Sequence, residues 1–247
     1  MSHTATAGIL LIGNELLSGR VRDENLSFLA GELWQLGVPV RRTVVVRDAV
    51  EEIAAAVREL AARETYVFTS GGVGPTHDDV TIAGVAAAFG VPVVLEPGLE
   101  RLLRGFFGER TTPFHLRMAR VPQGAELLGG DGRNWPTVRM RNVIVLPGVP
   151  EYLRRRFVRL RELFRHEPLH RCMLALAADE PTIAPYLEAA VAENAGVEIG
   201  SYPQGDTVLV TFEGTDSEQV ERAREAVDRA LANVCERTWP AGPAGKP

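Results

Sequence analysis

Lysine is almost missing from this chain: of 27 Lys and Arg residues, only Lys246 is a lysine, and it lies in the tail "TWPAGPAGKP". That argues against a P-loop lysine and against a Schiff-base lysine. Any cation that meets a phosphate must then be an arginine, a helix N-terminus or a metal ion. Cysteine is nearly as scarce. Cys172 and Cys235 stand far apart with no CxxC or Cys/His cluster, so neither a zinc site nor a disulfide framework is suggested, and both read as buried thiols. No apolar run approaches the length of a bilayer span. "MSHTATAG" has neither the basic nor the apolar region of a secretory signal. A formal net charge of −5 and a pI near 5.6 leave no basic footprint for nucleic acid. The expectation is a cytoplasmic protein with a small-molecule ligand and no nucleic-acid or membrane partner.

What is present is an ordinary globular composition, 45% hydrophobic and 24% charged over 247 residues, enough for one large domain and a small one. The first two-thirds alternates short apolar runs with amphipathic segments, the pattern of β-α units on a mainly parallel sheet flanked by helices. Short buried strands are expected at 8–12, 40–46, 65–69, 91–95 and 142–146. Leu26, Leu29, Ala30 and Leu33 keep helical spacing between the first two, and Val50, Ile53, Ala54 and Val57 between the next two. After "NVIVLPGVP" an Arg-rich helix runs from Glu151 to about Arg165, and a charged bend before Pro168 marks a boundary. The expected organisation is an α/β domain over 1–166, a small α+β domain over 167–237 in the order β-α-β-β-α, and a Pro/Gly-rich disordered tail over 238–247.

Ligands of parallel α/β sheets bind beyond the carboxyl ends of the strands. The first strand ends in "IGNELLSG" with Asn14 and Glu15, the second in "VVVRD" with Asp48, the third in "TSGGVGPTHDDV", and the fifth in "LPGVP". Each acid has a plain explanation. Thr76-x-x-Asp79 matches a capping box, Asp48 an N-cap, and Glu15 a solvated turn residue. Together they suggest something more. The fold would bring Glu15, Asp48, Asp78 and Asp79 to one sheet edge beside a glycine cradle, an arrangement that makes electrostatic sense if a divalent cation bridges carboxylate and phosphate oxygens.

"GGVGPTHDDVT" and "IGNELLSGRVRDEN" resemble the motifs of the molybdopterin-binding domain superfamily, which includes molybdopterin adenylyltransferases and the N-terminal domain of competence-damage-inducible protein A. The likeness spans roughly residues 8 to 165. Downstream, "WPTVRMRNVIVLPGVPEYLRR", "LALAADEPTIAPYL" and "IGSYP" are similar to the molybdopterin-binding-like domain of eukaryotic-type FAD synthases. The resemblance implies a metal-dependent pyrophosphatase that splits FAD to FMN and AMP, or ADP-ribose, with Mg²⁺, Mn²⁺ or Co²⁺. It places the loop glycines on Gly71, Gly72 and Gly74, the essential acids on Asp79 and Asp48, the opening motif on Glu15, Asp23 and Asn25, and the second glycine turn on Pro147, Gly148 and Pro150. Thr76 joins the phosphate-binding set, and homo-oligomerisation is implied. Neither a sulfate-reductase-like domain nor a deamidase domain is read in these 247 residues, so neither FAD synthesis nor deamidation is expected of them. Val73 stands where adenylyltransferases usually carry Thr, and "GRNWPTV" replaces a small-residue run of the competence branch.

Two functions remain open: hydrolysis of a dinucleotide pyrophosphate, and a non-catalytic or adenylyltransferase-like role in binding a pterin or nucleotide. Residues with two readings are His77 in the loop, His115 with Arg117 and Arg120 as an anion clamp or helix surface, Trp135 as a stacking ring or packing lid, and Arg139 and Arg141 as solvent-facing strand positions. Arg154, Arg155 and Arg156 read as a solvated helix face. Asp179, Glu180 and Tyr202 read either as site residues or as a capped helix and a strand end.

Overall fold

A computed structural model describes residues 5–130 and 134–238 and divides the chain into two compact units, Met1–His166 and Glu167–Pro247. All of the expected tail except Thr238 lies outside the described residues.

The first unit opens with β1 (Ala7–Ile12), buried at every position, as suits a strand covered on both faces. There follow a single helical turn α1 (Asn14–Leu17), α2 (Asn25–Gln35), β2 (Val40–Val46), α3 (Val50–Arg63), β3 (Tyr66–Ser70) and α4 (Thr81–Phe89). Next come β4 (Val93–Leu95), α5 (Pro97–Phe107), β5 (Arg120–Pro122), β6 (Glu126–Leu128), β7 (Thr137–Met140), β8 (Val143–Leu146) and α6 (Pro150–Leu160). The main sheet runs β2-β1-β3-β8-β7-β6. Its first four strands are mutually parallel, whereas β7 and β6 return antiparallel.

Alternation along the strands builds two cores. Leu10, Ile12, Val67, Val143 and Val145 face Ile53, Val57 and Leu60 of α3 and Val85 of α4. Ile9, Leu11, Phe68, Ile144 and Leu146 face Leu29 and Leu33 of α2 and Leu153, Phe157 and Leu160 of α6.

The strand expected at 91–95 is corrected. Only β4 forms there, and it pairs antiparallel with β5 in a separate two-stranded sheet. Gly90 ends α4 with φ 66°, and the Val91 N–H is consumed by the Ala86 carbonyl, so Val91 belongs to the helix end. Pro92 then offers no N–H, and Val93 and Leu95 remain exposed.

The second unit contains β9 (His170–Ala177), α7 (Glu180–Glu193), β10 (Glu198–Gln204), β11 (Thr207–Gly214), α8 (Ser217–Ala230) and the two-residue β12 (Glu236–Arg237). Its antiparallel sheet runs β10-β11-β9-β12, the β-α-β-β-α order with one short strand added. Asp179 and Asp216 cap α7 and α8 by accepting backbone N–H bonds. The cysteines are half-buried rather than buried. Cys172 donates to Glu221, and burial, with that carboxylate adding to it, pushes its thiol up to about 11.

Phe157 is fully buried, with the rings of Phe68, Phe28 and Phe164 at 5.7, 5.9 and 6.0 Å. Phe157→Ala is expected to destabilise the first unit by about 3–5 kcal/mol, read as a lower urea midpoint. An unchanged midpoint would remove this ring cluster from the account of stability.

Candidate functional site

The site begins with three strand ends in backbone contact. β3 leaves the sheet through Gly71, whose φ is 113° and where a Cβ would stand 2.1 Å from the Ile12 carbonyl oxygen. A Cβ on Gly148, in the turn after β8, would stand 3.2 Å from the Gly71 Cα. No side chain fits between these strands. The Gly71 N–H donates to the Leu146 carbonyl at 3.3 Å, and the Thr81 hydroxyl donates to the Gly71 carbonyl at 2.8 Å. Asn25, buried at the start of α2, donates through Nδ2 to Ser70 Oγ at 2.9 Å and to the Gly148 carbonyl at 2.7 Å. Gly71, Asn25, Pro147 and Gly148, expected to hold phosphate, thus shape the turn from within.

The cradle lies one residue further on. Among the described residues, the N–H groups of residues 72–74 meet no protein acceptor. Such a run of free N–H groups forms an anion-binding concavity. Gly72 has φ 62°, and its carbonyl accepts from the Thr81 N–H at 3.0 Å, fixing the loop to the first residue of α4.

The expected capping box is not formed. α4 starts at Thr81 with Val80 as its N-cap and no side-chain cap. Asp79 instead turns back into the loop: its Oδ2 accepts the Thr76 N–H at 2.8 Å and also the Thr76 hydroxyl. A Cβ on Gly74 would meet that carboxylate oxygen at 2.6 Å, so Gly74 leaves room for Asp79 to fold over the cradle. Asp78 and His77 are exposed.

The other acids are engaged elsewhere. Asp48 Oδ2 accepts the Asn14 N–H at 2.9 Å, tying the end of β2 to the loop after β1, while α3 takes Ala49 as its N-cap. The Glu15 carboxylate lies back over Gly13, where a Cβ would be 2.4 Å from Oε1. Asp23 accepts the Leu26 N–H at 2.8 Å. Among the described residues, no three His, Cys, Asp or Glu side chains converge as a metal-holding group. The expected convergence of Glu15, Asp48, Asp78 and Asp79 is corrected accordingly: Asp48 is tied to the loop after β1, Asp79 closes on Thr76 in its own loop, and Glu15 folds over Gly13, so reaching the same sheet edge does not unite them among the described residues.

Beside the cradle lies a cleft of about 1310 Å³. Gly72, Gly74, Thr76, His77 and Asp79 line it, whereas Glu15, Asp48 and Asp78 do not. Leu102, Val138 and Val145 supply apolar wall, Trp135 is part of the lining, and Arg101, Arg117, Arg120 and Arg156 bring four cations. Arg117 also donates to the Pro75 carbonyl at 3.4 Å. His115 is occupied elsewhere, accepting the Thr112 N–H at 3.0 Å and stacking on Phe107 at 3.9 Å. Arg139 donates to the Arg141 carbonyl at 2.8 Å, and Arg141 lies over Phe89, so neither reaches the cleft lining.

Sequence reasoning missed Arg101 and placed Arg156 on a solvated helix face, whereas both line the cleft; Arg156 is the less exposed of the two. The signal was present: Leu153, Phe157 and Leu160 form the buried stripe of α6, and Arg156 stands at the i+3 position of that stripe. Asp179 is a helix cap, and Glu180 accepts from Ser201 Oγ at 2.8 Å, joining α7 to β10; Tyr202 is exposed.

Gly71→Ala is expected to cost roughly 3 kcal/mol or more, since strain at positive φ adds to the clash with the Ile12 carbonyl. Gly19→Ala, also at positive φ but with nothing within 4 Å, is expected to cost only about 1–2 kcal/mol. Equal losses in thermal melts of the two variants would show that the close backbone contact adds nothing.

Comparison with known proteins bears on the family and the fold. Residues 8–166 match the family model described as "Probable molybdopterin binding domain", and residues 168–237 match "FAD synthase, middle domain". A protein of Archaeoglobus fulgidus is 32% identical over 223 residues, covering 90% of this chain and 96% of that protein. A "Probable FAD synthase" of Caenorhabditis elegans is 33% identical, covering 94% of this chain, which spans only 51% of that longer relative. Among solved structures, the protein CinA of Thermoplasma acidophilum is 30% identical with a TM-score of 0.60, covering 65% of this chain and 99% of that one. Among the described residues, no helix is long and apolar enough to cross a membrane. The chain belongs to the molybdopterin-binding domain family, and its residues 168–237 are similar to the FAD synthase middle domain.

Proposed function

We propose that the first unit hydrolyses a dinucleotide pyrophosphate, with FAD as the favoured substrate and ADP-ribose as the alternative. The observation that carries this reading is the continuity of the site: a free backbone cradle and Asp79 open into one cleft that also holds four arginines and Trp135. Its volume of about 1310 Å³ exceeds the roughly 300–1,000 Å³ typical of small-molecule pockets, which suits a ligand with two nucleotide halves. The likeness to a "Probable FAD synthase" over 94% of this chain favours a flavin nucleotide over ADP-ribose as the ligand.

In this reading the N–H groups of residues 72–74 hold one phosphate, and the arginines of the cleft carry the remaining negative charge. Trp135 offers a face for a flavin or adenine ring. Water adds to one phosphorus, the bridging P–O bond breaks, and FAD plus water gives FMN and AMP. Asp79, held by Thr76, accepts the proton of the attacking water or orients it.

The donor set does not suit a cation caged by protein alone, since no three ligating side chains meet among the described residues. It does suit an ion of the magnesium type, bound by one carboxylate together with substrate phosphates and water, with Asp79 as that carboxylate. When bound, such an ion would neutralise charge on the phosphates. Asp48 then acts at a distance, by positioning the loop at Asn14.

A second reading, a carrier of pterin or nucleotide without turnover, is favoured by the same lack of a three-carboxylate cluster. Incubation with FAD or ADP-ribose and Mg²⁺, Mn²⁺ or Co²⁺ separates the two. The expected result is release of AMP, with Asp79→Asn lowering kcat/KM by at least about 100-fold. A ligand-induced rise in Tm with no AMP under any metal would favour the carrier and defeat the hydrolase.

A further inference from the structure

We propose that Arg156 is a direct anion-binding residue of the cleft, its guanidinium contacting a phosphate of the bound ligand. The inference rests on the cleft being the phosphate-ligand site described above, and it names a contact that neither the motifs nor the family match assigns.

Three observations carry it. First, Arg156 occupies a position on the apolar stripe of α6, beside Leu153, Phe157 and Leu160, yet it lines the cleft. A leucine or methionine there would satisfy packing without burying charge. Second, Arg156 has no carboxylate partner among the described residues; Arg155 and Arg159 of the same helix also have none but are exposed, and other arginines of the region are paired. Arg154 pairs with Glu24 at 3.1 Å, Arg161 with Glu32 at 3.3 Å and Arg165 with Glu162 at 2.7 Å. Third, its surroundings oppose its charge: burial first, and then the neighbouring Arg159, push Arg156 down to about 10, which still leaves it cationic at neutral pH.

A half-buried cation without a counter-charge is unfavourable in the free protein. A phosphate in the cleft would relieve that cost, and the planar guanidinium can give a phosphate two parallel N–H bonds. Arg101, Arg117 and Arg120 also line the cleft but are exposed, so water already solvates them and they gain less from a ligand. Arg159 is directed to the Trp135 carbonyl, at 3.5 Å.

The test uses the full chain with inorganic pyrophosphate as the probe, comparing wild type, Arg156→Met, Arg156→Lys and Arg154→Met by calorimetric titration and thermal melting. Arg156→Met is expected to melt at or above the wild-type temperature while losing about tenfold or more in pyrophosphate affinity. Arg156→Lys should recover part of the loss, and Arg154→Met should bind as wild type does. Equal affinity of wild type and Arg156→Met, an equal loss in Arg154→Met, or no pyrophosphate binding by wild type would overturn the assignment. Binding that depends on Arg156 without AMP release from FAD or ADP-ribose would leave Arg156 in place and remove the hydrolase. Hydrolysis with KM and pyrophosphate affinity unchanged in Arg156→Met would do the reverse.

Discussion

The site depends on one steric constraint, the meeting of the ends of β1, β3 and β8 at Gly71. A Cβ there would lie 2.1 Å from the Ile12 carbonyl oxygen, and the following turn brings Gly148 against the same Cα. Parallel neighbours can approach so closely at their ends only if the side chain is omitted and the backbone takes a positive φ. The remaining bonds fix the consequence. Thr81 holds the Gly71 and Gly72 carbonyls, Asn25 joins Ser70 to Gly148, and the next N–H groups are left, among the described residues, without a protein acceptor. In this arrangement the buried Asn25 Oδ1 finds no protein donor, a desolvation cost set against the two bonds made by its Nδ2.

The same geometry resolves the conflict between a phosphate cradle and nearby acids. Most of the carboxylates are kept away from the cleft by their own bonds: Asp48 serves Asn14, Asp23 serves Leu26, and Glu15 folds over Gly13. Among the described residues, Asp79 is the one carboxylate on the cleft wall, and two donors from Thr76 offset part of its charge. The field met by an anion is then set by arginines and backbone N–H groups. One well-placed acid beside them is compatible with phosphate, where four would repel it.

How much of this was legible in the sequence follows the range of the interactions involved. β1, β3 and β8 were legible because burial on both faces leaves continuous apolar runs, and the helices because their stripes repeat every turn. β2 was expected buried, but as the edge strand VRRTVVV it buries only Val46 fully and is legible through its β-branched residues. β4 was misplaced because Val91, Val93 and Leu95 give the same local pattern whether they join the main sheet or a small exposed one. Thr76-x-x-Asp79 was read as a helix cap because spacing cannot distinguish a cap from a loop that closes on itself before the helix begins. Topology correctly brought the strand ends together, but it says nothing about which way a carboxylate turns over the last few ångströms. Arg156 was taken for surface because three consecutive arginines look solvated. Its place on the stripe of Leu153, Phe157 and Leu160 would have marked it as the exception.

The shortage of lysine and the chemistry of the cleft are connected through Arg156. Burial and Arg159 bring this guanidinium down to about 10, so it keeps its proton at neutral pH. A lysine starts near ~10.4 rather than above 12, and the same surroundings would carry its titration close to neutrality, leaving a phosphate site only partly charged. The ammonium is also more strongly hydrated and presents no planar fork, so it would lose more on entering the apolar margin of α6 and gain less from a phosphate. A cleft whose cations must stay charged when partly desolvated therefore selects arginine, and a chain with almost no lysine can still place a permanent positive charge on the buried stripe of a helix.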